Sequence, residues 1–153
     1  MSELARCLDQ LHRSFYGDAW HGEGMLEVLK GINARQASQR PIPNGHTVWE
    51  LVKHSAFWLD IVRERILGTA VEPAGPRDWL PVTESDEQSW QKALADLQRA
   101  QDQLETVLKG LTEEQFISKL PGRDFGADFL VYGVIQHTGY HGGQIGLLKR
   151  ALS

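Results

Sequence analysis

Apolar residues recur every three to four positions through most of this chain, the spacing of one buried face of an α-helix. Leu4, Leu8, Leu11 and Phe15 form the first stripe, behind Ser2 as a candidate N-cap, and Gly17-Asp18 ends that helix after Tyr16. The stretch Ala19-Trp20-His21-Gly22-Glu23-Gly24 is too rich in glycine for a helix interior; Met25, Leu26, Leu29 and Ile32 then predict a short helix. A loop through Pro41, Pro43, Asn44 and Gly45 leads to a second long helix, from about His46 to Leu67, which Gly68 stops. Residues 70–83 carry Pro73, Pro76 and Pro81 and read as a long connection.

The third long helix begins at Ser85, with Ser85 and Gln88 as a capping box and Trp90, Leu94, Leu97, Gln101, Leu104 and Leu108 on its buried side; Gly110 closes it. Thr112 and Gln115 repeat the cap pattern for one short turn, LPGRDFGADF reads as a loop, and a last helix spans about Ala127 to Leu152. No segment alternates with the period of a β-strand. Four long amphipathic helices predict an all-α fold, a four-helix bundle with a short extra helix and a long connection between its second and third long helices.

The length of 153 residues suits a single domain, 1–153, able to bury about two-thirds of its unfolded surface. The net charge of −4 comes from 20 acidic and 16 basic residues spread along the chain, with no basic run. Such a surface has nothing to track phosphates or an anionic membrane, so neither nucleic acid nor membrane is expected as a partner. Charges interrupt the apolar runs, and MSELARCLDQLHR has Glu3 and Asp9 where a signal peptide needs unbroken apolar residues; the expected location is cytoplasmic. Cys7, the single cysteine, shares the stripe of Leu4, Leu8 and Leu11 and reads as a small core residue rather than a catalytic thiol.

Histidines change this bland picture. Leu130, Val134, His137, His141, Ile145 and Leu148 step along one face of the last helix, so His137 and His141, four apart, aim inward together and can ligate one divalent ion. On the second long helix Val48, Leu51, Val52, Ser55, Leu59, Val62 and Ile66 form the apolar stripe, and His54 lies on its flank between Leu51, Trp58 and Ile61. A single histidine on such a face is usually a hydrogen-bonded core residue. Three buried together are costly unless partners or a metal satisfy their nitrogens. Thr138 stands where the HExxH pattern places its glutamate base, which excludes a zincin.

At these residues the chain resembles the DinB-like family of bacterial metal-binding four-helix bundles. The resemblance runs through AWHG, GHTVWELVKHSAFW and HTGYHGGQIGLLKR, and its most specific part is the trio His54, His137 and His141, which matches the family's three metal-binding histidines. It implies a divalent metal, with zinc or nickel foremost, and a homodimer. It also implies kinship with thiol-dependent transferases, some of which use low-molecular-weight thiols such as bacillithiol or mycothiol as co-substrate.

Three neutral histidines leave a coordination position open, as in catalytic rather than closed structural sites. The main expectation is therefore a metal-dependent thiol S-transferase acting on small electrophiles in stress or detoxification chemistry. A hydrolase of a small amide or ester would put water in the same position. A metal- or small-molecule-binding stress protein without turnover is the non-enzymatic alternative. Trp20, His21, His46 and Tyr140 are candidate pocket residues, with Tyr140 either a proton donor or a packed aromatic. Trp49, Phe57 and Trp58 are expected in the core, and His12 on the surface. Gly139, Gly142, Gly143 and Gly146 each cost about 1 kcal/mol in a helix, so close packing, a dimer contact or a substrate channel must explain them. Gln136, Gln144, Glu50 and Asp60 are candidates to orient the imidazoles.

Overall fold

Capping side chains set where most of the helices begin. In the computed structural model, which describes residues 1–71 and 77–152, seven helices follow one another and no strand forms among the described residues. Helix α1 (Glu3–Tyr16) starts where Ser2 Oγ accepts the Ala5 N–H, and ends at Gly17, whose φ of 135° is reserved for glycine. The turn after it is tight. A Cβ on Gly17 would fall 2.7 Å from the Glu27 carboxyl carbon, and one on Gly24 would fall 2.7 Å from the Gly17 nitrogen.

Helix α2 (Met25–Leu29) is shorter than the pattern to Ile32 suggests, and α3 (Ala34–Ser38) occupies a stretch with no predicted helix. Asn33 and Gln36 cap α3 reciprocally, and the Ala34 N–H reaches across to Glu87 Oε2 at 2.8 Å. Helix α4 (Val48–Ile66) begins at a box in which Thr47 Oγ1 accepts the Glu50 N–H and Glu50 Oε2 accepts the Thr47 N–H.

For α5 (Glu87–Lys109) the sequence reading is off by one residue, since Asp86 rather than Ser85 is the cap and accepts the Ser89 N–H at 2.8 Å. Asp combines the capping oxygen with a negative charge at the positive end of the helix, which favours that frame. Thr112 and Gln115 cap α6 (Glu113–Ile117), and α7 (Ala127–Ala151) closes the chain. The part of the proline-containing connection that includes Pro73 and Pro76 lies outside the described residues.

The four long helices carry the packing. Helix α4 lies against both α5 and α7, α1 lies against the same two, and the short helices fill the ends and seams. Phe15, Trp49, Trp90, Leu97, Leu104, Leu108 and Phe116 are fully buried between them. Each such side chain contributes about 1.5–3 kcal/mol of burial. Trp90 also donates its indole N–H to the Ile32 carbonyl at 2.7 Å, which ties α5 to the segment between α2 and α3. No helix among the described residues is long and apolar enough to cross a membrane.

Candidate metal centre

Helix α4 brings His54 to the seam it shares with α7, and the i, i+4 pair His137 and His141 meets it there. His54 Nε2 lies 2.9 Å from His137 Nε2, which in turn lies 3.1 Å from His141 Nε2. His54 and His141 are buried and His137 is half-buried. The three histidines form a group that could hold a metal ion, with their candidate ligand atoms all within 4.8 Å of one another.

The outer nitrogens decide how the inner ones are charged. His54 Nδ1 faces two oxygens of Asp78, the carbonyl at 3.0 Å and Oδ1 at 2.9 Å, while His141 Nδ1 faces Gln144 Oε1 at 2.6 Å. Oxygens of this kind accept, so both Nδ1 atoms carry the proton, and in the neutral tautomer that this selects each Nε2 presents a lone pair toward His137. Burial, reinforced by the two neighbouring imidazoles, pushes His137 down to about 3, and burial likewise lowers His141; both rings are therefore neutral at pH 7.

With all three rings neutral, His137 can donate one Nε2 proton to one neighbour, leaving the other neighbour's lone pair facing nothing that donates. Its Nδ1 is also buried without a partner among the described residues. Two nitrogens on one tetrahedral zinc stand about 3.3 Å apart, close to the 2.9 and 3.1 Å of the two pairs that share His137. The donor set and its unmatched lone pairs thus fit a divalent cation with three neutral nitrogen ligands. Imidazole suits zinc, nickel, copper or iron.

The surroundings come largely from the connection between α4 and α5. Trp79 stacks flat on His54, with centroids 3.8 Å apart and planes 6° apart, and its other close ring partner is His46, at 3.5 Å and 3°. Asp78 Oδ1 also accepts the Trp58 indole N–H at 2.8 Å, so one carboxylate fixes both an imidazole and an indole. Trp58 is accordingly half-buried at the site, its ring 5.8 Å from His137, and not a core residue; Phe57 is half-buried too, whereas Trp49 is fully buried as expected.

Of the residues considered for orienting the imidazoles, Gln144 does so. Glu50 instead serves the α4 cap and Arg40, Asp60 pairs with Arg63 and Arg99, and Gln136 lies at the surface. Asp78 and Trp79 escaped the sequence reading. Their one local signal is an acidic-aromatic pair in a connection where no helix needs aromatic mass.

The candidate pocket residues separate. His46 reaches the site only through Trp79, and Trp20 is 99% exposed. His21 and Tyr140 border a different hollow, along the glycines of α7, with the Tyr140 ring 5.1 Å from His141 but its side chain mostly in solvent. Of those glycines, Gly146 approaches Val28 and Gly139 the His21 ring, whereas Gly142 and Gly143 face open space. His12 is exposed, and Cys7 is buried with its thiol pushed up to about 12 by burial.

No curated protein and no solved structure matches the chain. Residues 19–145, including all three histidines, match the model of the DinB superfamily, and the chain belongs to that superfamily.

Proposed function

We propose that His54, His137 and His141 hold a divalent metal, zinc or nickel, and that the protein is a metal-dependent thiol S-transferase acting on small electrophiles. The observation that carries this reading is the convergence of the Nε2 atoms of three imidazoles, two of them fixed by oxygens at Nδ1 to point their lone pairs inward. A divalent ion supplies the acidification of a bound thiol at neutral pH. The reaction joins the thiol sulfur to an electrophilic carbon; the leaving group departs with its electron pair, and the thiol proton passes to solvent.

The chain's own residues define the rest. Asp78 and Gln144 hold two imidazoles in the ligating tautomer, and Trp79 covers one face of His54. Cys7, buried and with a raised pKa, is no thiolate source, so the thiol is an external low-molecular-weight one. Thr138 offers no carboxylate base for hydrolysis, and the Asp78 carboxylate is engaged by His54 and Trp58. In this reading residues 1–153 are one domain, a four-helix bundle built on α1, α4, α5 and α7. A cytoplasmic homodimer, its contact including the open Gly142–Gly143 stretch of α7, would serve a stress response.

The test is consumption of a bromobimane-type electrophile by metal-loaded protein, with and without added thiol, in wild type and His137→Ala. Loss of electrophile that needs metal, thiol and His137 together is the expected result. Hydrolysis of ester or amide substrates without thiol would replace this reading with the hydrolase. Saturable binding without product over long incubation would make the protein a receptor.

A further inference from the structure

Between α4 and α7 a cavity of about 260 Å³ opens beside the ring of His137. Its walls are Trp58, Val62, Phe129, Leu130 and Val134, with Arg65 at the edge, where its Nε–H is engaged by the Val71 carbonyl. Pockets that enclose drug-sized ligands start at about 300 Å³, so this one suits a smaller, fragment-sized molecule. Two features set it apart from an accidental surface dent.

The first is Gly133, which also lines the cavity one helical turn before His137. Glycine inside a helix costs about 1 kcal/mol relative to alanine, yet a Cβ placed there would meet nothing within 4 Å. Packing therefore does not demand glycine. What the missing side chain does is keep the volume beside His137 open. The second is Phe129, which stacks loosely on Phe125 and leaves 63% of its surface in water at the cavity wall. A large aromatic ring gains nothing from that exposure, and an apolar ligand in the cavity would cover it.

We propose that this cavity is the subsite for the apolar body of the substrate, and that its class is a one- or two-ring aromatic compound bound between Trp58 and Phe129 against His137. Flat rings stack on aromatic walls, and the lining offers two, Trp58 and Phe129. The word substrate rests on the transferase reading; the occupancy of the cavity does not.

Titration of the full chain with indole, followed by amide and indole N–H resonances in ¹H–¹⁵N NMR, tests it. Saturable shifts centred on the Trp58 indole N–H and the Gly133 amide are expected. Gly133→Leu fills open space and is expected to lose indole affinity by about tenfold or more while keeping its helicity and metal content. Phe129→Ala, at an exposed position that does not threaten folding, should lose several-fold. Shifts centred elsewhere, or unchanged affinity in both variants, would overturn the proposal. Indole binding here without any thiol transfer would contradict the transferase reading alone, whereas transfer to an aromatic electrophile at an unchanged rate in both variants would overturn the subsite alone.

Discussion

Two clusters of polar side chains reach into the core among the described residues, and they differ in how far their hydrogen bonds close. Between α1 and α5, Glu105 accepts from Gln101 Nε2 at 3.0 Å, from His12 Nδ1 at 3.1 Å and from Lys109 Nζ at 3.2 Å, while Gln101 also reaches the Leu11 carbonyl. Donors face carboxyl oxygens there, and Gln101 Oε1 is the atom left over. Between α4 and α7, three imidazole nitrogens meet across about 3 Å with, when all three rings are neutral, at most one proton between them, and His137 Nδ1 has no partner among the described residues. The first cluster matches its donors to acceptors and leaves only that oxygen over. In the second the nitrogens outnumber the protons that could join them, and that mismatch, rather than buried polarity as such, marks it as a candidate site for a cation.

The largest expected difference between the clusters is their response to metal. A divalent ion that binds the folded state alone stabilises it by about 4 kcal/mol at a free concentration a thousand times its Kd. Thermal unfolding with zinc or nickel should therefore rise in wild type and in Glu105→Ala alike, and stay flat in His54→Ala. A metal response that disappears in Glu105→Ala would mean the clusters are not independent. Without metal, Glu105→Ala should itself cost about 2 kcal/mol, because one N–H of the buried Gln101 amide loses its acceptor. A urea midpoint unchanged from wild type would contradict the closed-network account.

Asp78→Ala probes the border of the open cluster. Loss of the carboxylate, one of the two Asp78 oxygens that face His54 Nδ1, should weaken metal binding about 10–100-fold, with far less effect on the metal-free fold. Asp78→Asn, which keeps an acceptor, should recover part of it; equal metal affinity in all three proteins would remove Asp78 from the site. Smaller still is Glu50→Ala, expected to cost about 1 kcal/mol at pH 7 by opening the α4 cap below His54. Burial raises the Glu50 carboxyl, but the Thr47 N–H and the Arg40 guanidinium outweigh it and hold it below the ordinary value of 4.5. A depressed carboxyl contributes above its unfolded value and loses that contribution as pH falls through its folded one. The gap between wild type and Glu50→Ala should therefore be full at neutral pH and close progressively below about pH 4.5.

What the sequence revealed and what it hid follow the same division between local and distant contacts. Stripes and caps are local, so α1, α4, α6 and α7 are placed within a residue or two, and the start of α5 slips by one because Ser85 and Asp86 both offer a capping oxygen. Helix α3 is five residues long, too short to show a period, although Asn33 and Gln36 spelled its capping box. The three histidines were readable because two share a helix face, His54 flanks the apolar stripe of another helix, and the resemblance matches all three. Asp78 and Trp79 were not, since a connection approaches a helix seam through tertiary folding and leaves no periodic trace. Trp58 was misread for a related reason: amphipathic pattern shows which way a side chain points, not whether a neighbour there is core or cavity.

The central claim is that three converging imidazoles require a cation. Elemental analysis of untagged wild type, His137→Ala and Glu105→Ala, each checked for retained helicity, tests it most directly. The account expects near one equivalent of a divalent transition metal in wild type and Glu105→Ala, and none in His137→Ala. Folded wild type that takes up no metal even after reconstitution, or His137→Ala that keeps a full equivalent, would contradict it.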